Sequence, residues 1–268
     1  MTKLEQEKFS TLAIQKLSDK EQNWLAQKKI ILAAQEGEKK FPILFSLVSR
    51  FVAKENMVWT VNELQALEDI YPGFSHDSWT RQDVVRVIFM MDLDTKTNAT
   101  YITQIFETAE VYELIALFKG LYLLENAAEF RMHYEEGIRT NMVNVFDAIS
   151  AGNPFAKKYL PEASWNQLIL KTLFIDRKLY KVHGVDAGKN ENLANMLQDF
   201  VMERWAAGRT VSLEMWRMLF GFLREDVKKL IANRNIVGNE KKVIDCVLHN
   251  NTQLNVPEFW DEIGKLDR

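Results

Sequence analysis

Nowhere does this chain alternate apolar and polar residues for long enough to build a sheet. "RKLYKV" at 177–182 comes closest, and it is too short. Elsewhere apolar residues recur at three- and four-residue intervals, interrupted rarely: the 268 residues include 5 Pro and 11 Gly. Only helices packed on helices bury stripes of that period. The expected fold is therefore all-α, with roughly a dozen helices or more and essentially no β-sheet. Short connections suit antiparallel neighbours stacked in pairs. With no fixed repeat period, the expected architecture is an irregular α-α superhelix, solenoid-like. The whole chain, 1–268, reads as one elongated helical domain, with an N-terminal half at 1–125 and a C-terminal half at 126–268.

Local signals place the helix ends. "SDKE" at 18–21 and "TVNE" at 60–63 are capping boxes, in which Ser or Thr accepts from a backbone N–H while Glu reaches back. Gly37 is the expected cap after the helix that Ser18 opens. "NP" at 153–154 and "LP" at 160–161 mark two helix starts. "VHGVDAGKNEN" at 182–192 is the longest break, a loop or a hinge. A long helix is expected from about Glu191 to Ala207, closed at Gly208.

The net charge is −3 and the pI about 5.9. A nucleic-acid or anionic-membrane partner demands a dense basic surface, so neither is expected. No apolar run is long enough for a transmembrane helix and the N-terminus lacks a cleavage-site pattern, so the expected location is the cytoplasm. The lone cysteine, Cys246, sits among Val243, Ile244, Val247 and Leu248 and reads as a small core residue. His249 lies three residues on, but a nucleophile there would need a third, orienting group.

The usual catalytic signatures are missing: no glycine-rich phosphate loop, no G-x-S-x-G, no H-E-x-x-H. His76, His133, His183 and His249 are scattered. One constellation is sharper. In "YEEGIRTNMVNVFDAI", 134–149, a stripe of short polar side chains runs beside the apolar one: Glu136, Thr140, Asn144 and Asp147. Glu129, His133, Glu136 and Thr140 share a face if the helix is continuous. Asn195, Asp199 and Glu203 form a second stripe on the 191–207 helix.

Three readings follow. The stripes form a hydrogen-bonded seam or a solvated face. Alternatively they line a groove for a ligand or partner, with Glu136, Arg139, Thr140, Asn141, Asn144, Asp199, Glu203 and Arg204 as candidate residues. Arg139 and Arg204 would then suit an anionic group, because guanidinium forks bind oxyanions. The third is a metal site at Glu129, His133 and Glu136. It is disfavoured because di-iron bundles use Glu-x-x-His twice, whereas here one His precedes its Glu. No cofactor is called for. Trp165, Trp205 and Trp216 fit core packing, and Lys171 fits a lysine whose stem lies on apolar surface.

The run "LPEASWNQLILKTLFIDRKLYKVHGVDAGKNENLANMLQDFVMERWAAGRTVSLEMW", 160–216, resembles the EboA family of bacteria, and "YEEGIRTN" at 134–141 is similar to it as well. The resemblance carries over 130–216. It carries no catalytic residue to this chain. It implies a non-enzymatic binding or scaffold protein in secondary-metabolite traffic or processing, whose partners are a small metabolite or other Ebo proteins. The alternative is an enzyme with a polar site, with or without a metal, between helices 134–149 and 191–207.

Overall fold

A computed structural model describes residues 1–74 and 79–267. Among them are sixteen α-helices joined by short 3-10 turns and no strand, so the fold is all-α as expected. The nearest approach to sheet is an isolated antiparallel bridge between Asn56 and Thr80. "RKLYKV" forms a 3-10 turn at Leu179–Lys181 instead. The chain divides into two compact units, Met1–Leu160 and Pro161–Arg268, so the sequence division at 125/126 falls inside the first.

In the first unit the α-helices are α1 (Lys3–Ile14), α2 (Asp19–Ala33), α3 (Phe41–Phe51), α4 (Val61–Ile70) and α5 (Arg81–Met91). They continue with α6 (Asn98–Thr108), α7 (Val111–Gly120), α8 (Arg131–Ile138), α9 (Val143–Ser150) and α10 (Phe155–Tyr159). Both sequence-read capping boxes are present: Ser18 with Glu21 opens α2, and Thr60 with Glu63 opens α4. Thr2 with Glu5 and Thr80 with Asp83 do the same for α1 and α5. Gly37 is not the cap of α2. That helix ends at Ala33, and Glu36 takes the positive φ of 59°. Gly37 is needed for space instead, since a Cβ there would lie 2.2 Å from the Leu32 carbonyl oxygen.

The centre of this unit is α5, buried from Gln82 to Met90 and packed against α3 and α7. A helix buried all round must satisfy its own polar residues. Lys119 pairs with Asp83 at 2.8 Å, Gln82 Nε2 donates to the Val52 carbonyl, and Arg86 Nε donates to the Phe45 carbonyl. Gly120 lets α7 approach closely, because a Cβ there would sit 2.8 Å from a Val87 methyl. Beyond α7 lies α9, and α8 packs on α9.

The second unit holds α11 (Glu162–Phe174), α12 (Glu191–Ala206), α13 (Met215–Leu219), α14 (Glu225–Ala232), α15 (Gly238–Leu248) and α16 (Pro257–Leu266). The expected stop at Gly208 holds, with φ +70° there. The segment 182–192 is tied down at several points. Trp165 Nε1 donates to the Gly188 carbonyl at 2.9 Å, and Asn166 and Asn190 exchange amide hydrogen bonds. Asn190 also caps α12 through the Leu193 N–H. Arg217, 2% exposed, donates to both carboxylate oxygens of Asp186 and to Asp261. Trp165, Trp205 and Trp216 are all buried, as core packing requires.

Candidate functional site

The stretch 134–149 is not one helix. It ends as α8 at Ile138 and resumes as α9 at Val143. The last turn of α8 tightens, with Arg139 N–H donating to Glu136 and Thr140 N–H to Gly137, both three residues back. Thr140 Oγ1 then accepts from the Met142 N–H at 3.2 Å. Short hydroxyl side chains compete in this way with the helical ladder. So the polar residues that looked odd on a continuous helix serve to end one, and Glu129, His133, Glu136 and Thr140 do not form a single helical face.

The break opens a cleft of about 450 Å³ inside the first unit. One wall comes from α6 with Thr103, Phe106 and Glu107. The floor is Leu114 and Phe118 of α7 with Val145 of α9. The other wall is His133, Glu136 and Gly137 of α8, followed by Arg139 and Thr140. Three of the sequence-read candidates therefore line it: Glu136, Arg139 and Thr140. Asn141 and Asn144 are exposed and do not.

The floor is aromatic. Phe106 and Phe118 lie 5.2 Å apart between ring centroids, tilted by 59°, and Phe118 meets Tyr134 edge-on at 5.7 Å. Gly137 makes room for this, since a Cβ on it would fall 2.4 Å from Phe118 Cζ. Behind the floor, the Tyr134 hydroxyl donates to the Ile149 carbonyl, which fixes α8 on α9.

His133 is the polar centre. Its ring lies 4.7 Å from that of Phe106, and its Nδ1 is buried with no hydrogen-bond partner. Burial pushes the imidazole below its ordinary pKa, while the Glu107 carboxylate acts the other way. The ring is thus held toward its neutral form. At the rim, Arg139 pairs with Glu136 at 2.9 Å, both well exposed. Such a pair adds little stability, about 0.3–0.5 kcal/mol, but it matches the guanidinium charge.

The other candidates belong to the second unit. Asp199 is paired with Arg224 at 2.7 Å, Arg204 Nε donates to the Thr210 carbonyl, and Glu203 is exposed. The metal set is not assembled: Glu129 is exposed and accepts from Asn126, and Glu136 holds Arg139. Among the described residues no three His, Cys, Asp or Glu side chains are placed to hold a metal. Cys246 is buried, which pushes its thiol up, the opposite of what a nucleophile needs. Burial also lowers Lys171. His76 lies outside the described residues.

The sequence missed Thr103, Phe106, Glu107, Leu114 and Phe118. Helical spacing gave a signal only for their apolar face, and nothing in it tells which distant helix that face meets.

A family model described as metabolite traffic protein EboA matches residues 6–220. The likeness read over 130–216 thus extends through the N-terminal part of the chain and includes every residue of the cleft. No curated protein and no solved structure matches the chain. Among the described residues no helix is long and apolar enough to cross a membrane.

Proposed function

The chain belongs to the EboA family, and from that premise we propose that it is a non-enzymatic binding protein that holds a small metabolite during its traffic or processing. The observation that carries this reading is the cleft beside α8. Its volume falls within the range of small-molecule sites, which are mostly apolar with a few convergent polar groups. The aromatic rings take the body of a ligand, and the charged side chains at the rim, Glu107, Glu136 and Arg139, meet polar groups on it. The protein acts in the bacterial cytoplasm in this reading, and other Ebo proteins deliver or receive the ligand.

Titration of the full chain with N-phenyl-1-naphthylamine, an uncharged fluorescent aromatic, tests the binding role. Saturable enhancement at one site is expected. Thr103→Phe, which fills the cleft from α6, should abolish it. If the uncharged probe does not bind, or binds Thr103→Phe equally well, the cleft is not a metabolite site. Elemental analysis of the purified protein tests the non-enzymatic part: a stoichiometric transition metal would favour the enzyme reading.

A further inference from the structure

Two carboxylates and one guanidinium line the cleft, Glu107, Glu136 and Arg139, together with an imidazole that burial holds toward neutrality. The cleft therefore carries a net negative charge. The distribution of that charge matters more than its sum. Arg139 is already matched by Glu136 at 2.9 Å. Glu107 has no ion-pair partner among the described residues, yet its carboxylate stands close enough to His133 to act on the imidazole.

An arginine beside short polar residues suggested an anionic ligand from the sequence. The cleft argues the other way. A carboxylate or phosphate entering it would meet an unmatched Glu107, and would have to displace Glu136 to reach the guanidinium. Like charges brought together repel, and because Glu107 is exposed the repulsion is modest and screened by salt. A cation meets the opposite situation. Phe106 and Phe118 offer ring surface to an ammonium or to the apolar body that carries it. Glu107 supplies the counter-charge.

We propose that the cleft between α6 and α8 binds an organic cation, an ammonium group on an apolar body, with Glu107 as its counter-ion. The inference rests on the metabolite-binding role proposed above and names the chemical class that the site selects.

A pair of fluorescent probes sharing one ring system tests it: dansylcadaverine, a cation, and dansylglycine, an anion. Both are titrated into the full chain at low ionic strength. Dansylcadaverine should bind more tightly, by up to about fivefold, the upper end for one ion pair at an exposed site. Glu107→Gln should remove that preference by weakening the amine and strengthening the anionic probe. Added salt should narrow the gap in the wild type. Dansylglycine binding as tightly as the amine, or an amine affinity indifferent to Glu107→Gln, would overturn the inference while leaving the binding role intact. If neither dansyl probe nor the uncharged naphthylamine binds, both readings fail together.

Discussion

The His133 imidazole packs on the Phe106 ring in the lining of the first unit's cleft, with centroids 4.7 Å apart, and its buried Nδ1 meets no hydrogen-bond partner. This tilted ring contact holds the imidazole in place without satisfying its nitrogen. A protein that needed this residue only for packing would do better with phenylalanine.

His133→Phe should therefore keep the ring contact and leave stability unchanged or raised by up to about 1 kcal/mol. The variant should also change the response to acid. In the folded protein the His133 pKa lies below its unfolded value, so the unfolded chain takes up the proton more readily, and stability falls as pH drops below the ordinary histidine range. Unfolding midpoints measured from neutral to mildly acid pH should show a shallower acid decline in the variant. An equal decline in both proteins would show that His133 is not the titrating group.

Gly137→Ala places a methyl group where the Phe118 ring stands, 2.4 Å from Cζ. Overpacking of this kind costs about 1–3 kcal/mol. The expected result is a lower unfolding midpoint together with loss of N-phenyl-1-naphthylamine binding, because the displaced ring enters the cleft. Adding Phe118→Leu should recover part of both, since the smaller side chain yields the space. Failure of the double variant to recover either would place the strain elsewhere.

Glu214 in the second unit gives a pH effect of opposite sign. Its carboxylate accepts from the Leu179 and Tyr180 backbone N–H groups, and 2% of the residue is exposed. Burial raises its pKa to about 7 despite those bonds and the nearby Arg217. A carboxyl whose folded pKa exceeds its unfolded value stabilises the fold below the unfolded pKa, and the contribution is lost as pH rises through the folded one. The effect is on the order of 3 kcal/mol. Glu214→Gln offers one acceptor to the two N–H groups, so it should be the less stable protein in mild acid, and the gap should narrow or close by about pH 8. Chemical denaturation across that range checks this, and parallel curves would refute it.

Much of the fold is legible in local chemistry. The capping boxes at Ser18 and Thr60 open helices because each satisfies backbone donors within one turn, and a sequence displays that directly. Gly208 closes α12 for an equally local reason, a positive φ. The site is legible only in part. Glu136, Arg139 and Thr140 could be picked out as unusual, but a helix was drawn through them that the structure breaks after Ile138. Thr140 Oγ1 bonding to the Met142 N–H was one of two outcomes open to the same residues.

By itself, then, the sequence determined the all-α class, many of the helix ends and the likeness to EboA proteins. Each rests on periodicity or on contacts a few residues long. Tertiary structure alone decided that Phe106 and Glu107 of α6 and Phe118 of α7 line one cleft with His133, and that Asp186 of the 182–192 segment is held by Nε and Nη2 of Arg217. The physical reason is the same in both cases. An apolar stripe fixes that a face is buried but not against what, and a charge in the sequence carries no sign of its burial until packing removes the water around it.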